Sequence, residues 1–179
     1  MAALETLLDP TGTDERTTDA TLAPRPGSLR GLRIGLLDNT KANGTALLAN
    51  IAELLRQTHG IGETRTYTKS YFGTPLADEL RDRIAAECDV VVSAIGDCGS
   101  CSAATVADGV ILERAGVPTV SICSDSFLMS GAAMAEVQGF PGFEFMTVRH
   151  PVASLDADGL RERAREAVPE VLRILGVEA

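Results

Sequence analysis

The 179-residue sequence is poor in aromatic residues, which make up 4% of the chain, and it contains no tryptophan. Apolar residues nevertheless reach 45%, so we expect a single core built mainly from Ala, Val, Leu and Ile. No apolar run approaches the roughly 20 residues that cross a bilayer. The N-terminus also lacks a basic start followed by a long apolar segment. We therefore expect no membrane partner and a cytoplasmic location.

The chain also lacks an excess of positive charge. Its 25 acidic and 16 basic side chains give a formal net charge of −9 at pH 7, and no Lys/Arg stripe alternates with aromatic residues as in proteins that bind phosphate backbones. Neither of the glycine-rich phosphate motifs, G-x-G-x-x-G and G-x-x-x-x-G-K-S/T, follows a predicted strand. The sequence therefore predicts no nucleic-acid partner and no bound cofactor.

The pattern of apolar residues predicts two parts. Residues 1–30 are rich in Thr, Asp, Pro and Gly, which predicts an extended or loosely ordered arm before a single α/β domain over residues 31–179. Strands are predicted at 32–38, 64–72, 89–95, 118–124 and 143–150. Helices are predicted around 47–55, 76–87, 103–111, 126–139 and 156–176. We expect Pro169 to kink or divide the last helix.

Strands that alternate with helices predict a three-layer α/β/α sandwich with a mostly parallel five-stranded sheet, flavodoxin-like in its 2-1-3-4-5 order. Ligands of such sheets bind outside the carboxyl ends of the strands, at the switch point between strands 1 and 3. Polar residues follow four of the predicted strands: Asp38, Asn39, Thr40, Lys41, Asp97, Cys98, Cys101, Ser124, Asp125, Arg149 and His150. We expect this edge to be the functional site, although some of its Ser, Thr, Asn and Asp residues also suit helix capping.

The segment "GDCGSCS" places Cys98 and Cys101 three positions apart, between a predicted strand and a predicted helix. A helix N-terminus favours an anion and lowers the pKa of a thiol. We therefore predict that Cys98 is the nucleophile. Cys101, one helical turn further on, can attack a species formed at Cys98 and release it as a disulfide, which makes it the resolving thiol.

Two other interpretations of the pair are open. A C-x-x-C pair can form one half of a zinc site. Cys98, Cys101, Cys123 and His150 could in principle converge on a metal. No second Cys/His pair has metal spacing, however, so we predict no metal. The second interpretation is two small residues in a tight turn.

The remaining residues of the edge are assigned by their chemistry. His150 has a pKa range suited to proton transfer near neutrality, and we predict that His150 or Asp97 moves protons. His59 is interpreted as a residue at a helix C-terminus. Lys69 and Lys41 are weaker candidates for holding a substrate carboxylate. Substrate positioning is assigned to Asp38, Asn39, Thr40, Lys41, Ser124, Asp125 and Arg149.

The stretch "DCGSCSAATVADGVILERAGVPTVSICSDSF" resembles the UGSC-motif family, whose selenoprotein members carry selenocysteine in place of the first cysteine of C-G-S-C. Residues 89–172 are also similar to the C-terminal part of selenoprotein B of the glycine, sarcosine and betaine reductases. This resemblance implies that Cys98 attacks a carbon α to a carboxylate, that thiols resolve the adduct, and that a partner reductase subunit takes part. Cysteine in place of selenocysteine implies a weaker nucleophile.

From these features we predict a thiol-dependent reductase or lyase-like enzyme. It would cleave a C–N, C–S or C–halogen bond of a small carboxylate or carbonyl substrate, and an external thiol would supply electrons for a reduction. Three alternatives stay open: a thiol–disulfide redox protein, a non-catalytic subunit of a larger reductase, and a Cys98/Cys123 acid–base isomerase or lyase. The segment "FLMSGAAMAE" leaves room for a homodimer interface.

Overall fold

A computed structural model describes residues 18–178 and is built around a five-stranded sheet. The strands are β1 (Ile34–Asp38), β2 (Thr64–Thr68), β3 (Val90–Gly96), β4 (Thr119–Ser124) and β5 (Met146–Val148). Their order is β2-β1-β3-β4-β5, and every neighbouring pair runs parallel. The predicted strand order is confirmed, and the sheet is parallel throughout.

Helices cover both faces of the sheet, which confirms the three-layer prediction. They are α1 (Gly44–His59), α2 (Asp78–Glu87), α3 (Gly99–Arg114), α4 (Leu128–Val137) and α5 (Ala157–Ile174). α1 packs beside α5, whereas α3 packs beside α2 and α4. Because helices cover both faces, β1, β3 and β4 are buried along their whole length. None of the helices in the described range is long and apolar enough to span a membrane.

Two strands are shorter than predicted. β2 ends at Thr68 instead of residue 72, because the next side chain, Lys69, turns inward and pairs with the buried carboxylate of Asp108 at 2.5 Å. β5 is limited to Met146–Val148 instead of 143–150, because the buried Phe143 belongs to a turn in which its N–H donates to the carbonyl oxygen of Phe140.

Two helices also depart from expectation. The predicted helix over 126–139 begins with a separate 3-10 turn, Asp125–Phe127, before α4. The division expected at Pro169 is wrong, because α5 continues through it as one helix. A proline removes one backbone hydrogen bond, and burial of the neighbouring Ala167 and Val171 against the core holds both halves of the helix in place.

Residues 18–30 contain neither helix nor strand, and a buried carboxylate fixes part of this segment. Glu113 of α3 accepts a hydrogen bond from the backbone N–H of Ala23 and pairs with the guanidinium of Arg25, each at 2.8 Å. Leu29 is buried in the core. Residues 1–17 lie outside the described range, so the predicted arm over residues 1–30 stays a prediction.

Candidate functional site

Cys98 caps the N-terminus of α3. Its backbone is extended, with φ −158° and ψ 168°, and its Sγ accepts a hydrogen bond from the backbone N–H of Cys101 at 3.3 Å. The thiol thus takes the position that a Ser or Asp side chain commonly occupies at a helix start. The Sγ therefore lies at the positive end of the α3 dipole, where a negative charge is stabilised.

Cys101 lies in the first turn of α3, next to Cys98. Its Sγ accepts a hydrogen bond from the backbone N–H of Asp97 at 3.1 Å, and the two Sγ atoms are 2.50 Å apart. The Cα atoms are separated by 5.4 Å, a distance that a disulfide spans. Cys98 is half-buried and Cys101 is buried. Cys98 is therefore the more exposed residue of the pair, and the roles assigned to the two cysteines stay predictions.

Gly96 permits this arrangement at the end of β3. A Cβ atom added there would lie 2.6 Å from the Cα of Ser102 and 2.7 Å from the Sγ of Cys123. Only glycine therefore lets the first turn of α3 pack directly on the end of the strand. This close approach holds the cysteine pair at the carboxyl edge of the sheet.

Asp97 joins the cysteine loop to the end of β5. Its Oδ2 accepts hydrogen bonds from the backbone N–H groups of Val152 and Ala153, at 3.1 and 2.9 Å, and its Oδ1 lies 2.9 Å from Nδ1 of His150. Burial raises the pKa of Asp97, but hydrogen bonds from Ala153, Ser124 and Val152 and the charge of His150 outweigh it, so the pKa is lowered. Asp97 is therefore a carboxylate at neutral pH.

His150 is held from several sides while its side chain stays 36% exposed. Its Nδ1 lies 3.1 Å from the hydroxyl of Ser124, its backbone N–H donates to Asp125 at 3.1 Å, and its ring packs edge-on against Phe127 with centroids 5.5 Å apart. When Nδ1–H donates to the Asp97 carboxylate, Nε2 is the proton acceptor. The last residue of β4 and the residues just after it thus hold His150.

The first residues of the β1–α1 loop serve as braces. Asn39 is fully buried, and its side-chain amide exchanges hydrogen bonds with the backbone of Ile95 and donates to the Thr105 hydroxyl, over 2.8 to 3.1 Å. Asp38 is also buried, and it accepts the N–H of Thr40 at 3.2 Å. The engaged polar atoms of Asn39 and Asp38 favour a bracing role over the predicted contact with substrate.

The rest of this loop faces outward. Thr40 is exposed and has φ 67°, in the left-handed region that a β-branched residue rarely enters. Lys41 follows it, with Nζ 4.1 Å from the ring centroid of Phe72. Both residues lie at the edge of the sheet, and their assignment to substrate positioning stays a prediction.

Three polar candidates are directed elsewhere. Arg149 is exposed and pairs with Glu166 of α5 at 2.8 Å. Cys123 is fully buried, and burial raises the pKa of its thiol to about 12. The expectation that Lys69 faces a substrate is wrong, since its side chain is 3% exposed and pairs with Asp108. Sequence position alone placed these residues near the edge, and packing decided where each side chain points.

Some contributors to the site had no sequence signal, and others had a weak one. Val152 and Ala153 act through backbone N–H groups, which no residue type encodes. Phe72 and Phe127 were detectable, because aromatic residues are scarce, Phe72 ends a predicted strand and Phe127 lies shortly after another. Within residues 18–178, no group of three or more His, Cys, Asp or Glu side chains is arranged to hold a metal ion.

Comparison with known proteins identifies a family. No curated protein matches this sequence, so the similarity to selenoprotein B is not shown. The family model described as the UGSC family matches residues 6–177. That range includes the β1–α1 loop, the cysteine pair and the Asp97–His150 contact. The chain therefore belongs to the UGSC family.

Proposed function

We propose that the protein is a cysteine-dependent enzyme that reductively cleaves a C–N, C–S or C–halogen bond next to a carboxylate or carbonyl group. The observation that carries this proposal is the placement of a helix-capping cysteine and an anchored imidazole in neighbouring loops. Cys98 accepts the N–H of Cys101, and the preceding residue, Asp97, contacts His150 at 2.9 Å. Nucleophile and proton donor therefore lie in neighbouring loops.

The first step uses Cys98. Its thiolate attacks the carbon that carries the leaving group, so that an S–C bond forms and the bond to the leaving group breaks. The leaving group departs with the electron pair and takes a proton where its basicity requires one. Half-burial of Cys98 leaves the sulfur accessible, and the N–H of Cys101 stabilises its anionic form.

The second step uses Cys101. Its thiolate attacks the Sγ of Cys98, an S–S bond forms, and the S–C bond breaks with its electron pair passing to the carbon next to the carbonyl group. His150 first takes up a proton from solvent at Nε2 and then donates it to that carbon, which completes the product. The substrate gains two electrons and the cysteine pair loses them, so an external dithiol must reduce the resulting disulfide. The Cα separation of 5.4 Å supports closure of that disulfide.

Thiol–disulfide exchange without a small substrate is the second candidate function, because the cysteine geometry alone would suffice for it. The two candidates differ in their need for His150, which exchange between thiols does not use. An acid–base reaction of Cys98 with Cys123 is disfavoured, since Cys123 is fully buried and burial raises its pKa to about 12. A role as a reductase subunit stays a prediction.

The test uses chloroacetamide, a small α-halo carbonyl compound, with the reduced protein. In Cys101→Ser we expect a stable thioether at Cys98. In the wild type we expect the Cys98–Cys101 disulfide together with an equal amount of acetamide, and in Cys98→Ser neither product. Peptide-mapped mass spectrometry and product analysis measure these outcomes. A wild type that stops at the thioether would contradict the resolving role of Cys101, and no preferential reaction at Cys98 would contradict the enzyme.

A further inference from the structure

We propose that the apolar start of the chain, residues 1–8, docks on the exposed side of α4. This surface, the α4 face, consists of Leu128, Met129, Ala133 and Val137. Because the occupant is a segment of the same chain, the contact forms within a monomer. The inference goes beyond the proposed function, since it does not involve the cysteine chemistry.

The exposed apolar side chains of the protein are concentrated on α4. Five large apolar side chains are exposed in the described part of the chain, and three of them, Leu128, Met129 and Val137, lie on this ten-residue helix. Met129 is 78% exposed. Met129, Ala133 and Val137 are spaced by four positions, which places them along one side of a helix. An exposed apolar surface of this kind indicates a binding surface.

Packing fixes α4 with this face outward. Its other side carries the buried Gly131 and Ala135 and packs against α3. A Cβ atom added at Gly131 would lie 2.6 Å from the ring of Phe145 and 3.0 Å from the side chain of Val106. The helix therefore cannot rotate to bury Met129, because a larger side chain would then meet Phe145 in place of Gly131.

The described chain starts beside the C-terminal end of α4. Nη2 of Arg114 donates to the carbonyl oxygen of Asp19 at 3.0 Å and to that of Gln138, the C-cap of α4, at 2.7 Å. The two carbonyl oxygens share one nitrogen, so they lie no further apart than the sum of these distances. The residues before Thr18 are therefore attached close to the α4 face.

Residues 1–17 divide into an apolar part and a polar part. The first eight residues, MAALETLL, include Met1, Leu4, Leu7 and Leu8 and have one charged side chain, Glu5. Residues 9–17, DPTGTDERT, contain no Leu, Ile, Val, Met or aromatic residue. Eight residues are too few to bury their own apolar side chains. Residues 1–8 thus lose apolar contact with water only by covering an apolar surface elsewhere.

The polar linker is long enough for this contact. Nine extended residues span up to about 30 Å, whereas the ten residues of α4 extend over about 15 Å. Residues 1–8 can therefore reach Met129, at the end of α4 that is remote from Gln138.

The tether favours residues 1–8 over a second copy of the chain as the occupant. A short linker holds a segment at an effective concentration in the millimolar range, roughly a thousand times that of a protein at micromolar concentration. A second copy would also bring together two chains that each have a net charge of −9, and like charges oppose association.

Oxidation of methionine by hydrogen peroxide tests the contact in the full-length protein. Peroxide transfers one oxygen atom to a thioether sulfur and leaves water, and the sulfoxide is detected by peptide-mapped mass spectrometry. Met146, which is 3% exposed, sets the slow limit, and Met129 in the urea-unfolded chain sets the fast limit. The cysteine pair is oxidised beforehand, and rates are measured at several protein concentrations.

We expect Met129 of the folded wild type to react at least about fivefold more slowly than in the unfolded chain, the value for a segment docked about four-fifths of the time. Leu4→Asp combined with Leu7→Asp should abolish this protection, because a carboxylate is costly to bury on an apolar surface. Thr11→Asp combined with Thr13→Asp adds the same two charges to the polar linker and should retain the protection.

Three outcomes would overturn the proposal. Met129 that reacts as fast as in the unfolded chain would show that the α4 face is uncovered. Protection that persists in the Leu4→Asp/Leu7→Asp variant would show that residues 1–8 are not the cover. Protection that grows with protein concentration, with the mass of a dimer in light scattering, would assign the face to a second copy. None of these results depends on the reactivity of Cys98, so they leave the proposed function to its own test.

Discussion

The carboxylate of Asp97 lies 2.9 Å from Nδ1 of His150, although 53 positions separate the two residues in the chain. Asp97 immediately precedes Cys98, and His150 follows β5. Their contact joins two loops at the carboxyl edge of the sheet and fixes the orientation of the imidazole beside the cysteine loop. Most of the expected behaviour of the site follows from this contact and from the capping of α3 by Cys98.

His150→Asn should interrupt the proposed reduction after its first step. Loss of the proton donor should slow formation of the reduced product by about a hundredfold, while the thioether at Cys98 still forms. Exchange with a small disulfide such as oxidised glutathione should continue. Product formation and peptide-mapped adducts measure these effects. His59→Asn, which changes the other histidine of the chain, is the control. If His150→Asn slows disulfide exchange as much as reduction, His150 is not a proton donor to substrate.

Because of Asp97, the stability of the folded protein should decrease at acidic pH. Its pKa in the folded protein is below the ordinary value of 3.8, so the carboxylate contributes stability that is fully present above that value and is lost as pH falls through the folded pKa. Asp97→Asn should cost about 1 to 3 kcal/mol at pH 6, with the difference from wild type shrinking in acid.

Urea unfolding at several pH values tests this dependence. Asp158→Asn, at an 87% exposed carboxylate on α5, should leave the pH dependence close to that of the wild type. A difference between wild type and Asp97→Asn that is constant down to strongly acidic pH would contradict the lowered pKa.

The effect of Lys69 and Asp108 on the free energy of unfolding should depend on both residues together. Asp108→Ala leaves the ammonium group without its carboxylate in a site that is 3% exposed, and we expect a loss of about 3 to 5 kcal/mol in the free energy of unfolding. Lys69→Met combined with Asp108→Leu should recover most of that loss, because neither charge remains. Chemical denaturation measures both. A double variant no more stable than Asp108→Ala would show that the cost does not come from an unpaired charge.

Gly96→Ala should disturb the cysteine pair through packing alone. The added methyl group would lie 2.6 Å from the Cα of Ser102, so we expect a destabilisation of about 1 to 3 kcal/mol and slower alkylation of Cys98 at neutral pH. Gly99→Ala is the matched control, because its methyl group meets only the Ser130 hydroxyl, at 3.6 Å. Thermal unfolding and alkylation rates report both effects. Equal behaviour of the two variants would contradict the close approach at Gly96.

The sequence predicted the fold well because the apolar pattern fixes which segments are buried. Non-alternating runs in β1, β3 and β4 indicate strands covered on both faces, and the intervening helical patterns leave little choice of topology. Element ends were less predictable. β2 ends where Lys69 meets Asp108, a partner from α3 whose position depends on the packed structure.

The location of the candidate site could be predicted from the sequence, but the roles of its individual residues were harder to predict. Residue type and position brought Cys98, Asp97 and His150 to the edge. The role of the other residues depends on what each side chain contacts. Arg149 pairs with Glu166, and the side-chain amide of Asn39 donates to the backbone of Ile95. Such pairings depend on helix packing, and neither residue spacing nor residue chemistry encodes them.

The most direct test of the account is the pH dependence of iodoacetamide alkylation, measured cysteine by cysteine on the reduced protein. Cys98 should react as a thiolate with an apparent pKa below the ordinary value of about 8.5, because Cys101 N–H and the α3 N-terminus stabilise the anion. Cys88 and Cys123 are internal controls, since burial raises the pKa of both. A Cys98 that titrates at or above the ordinary value would contradict its role as the nucleophile.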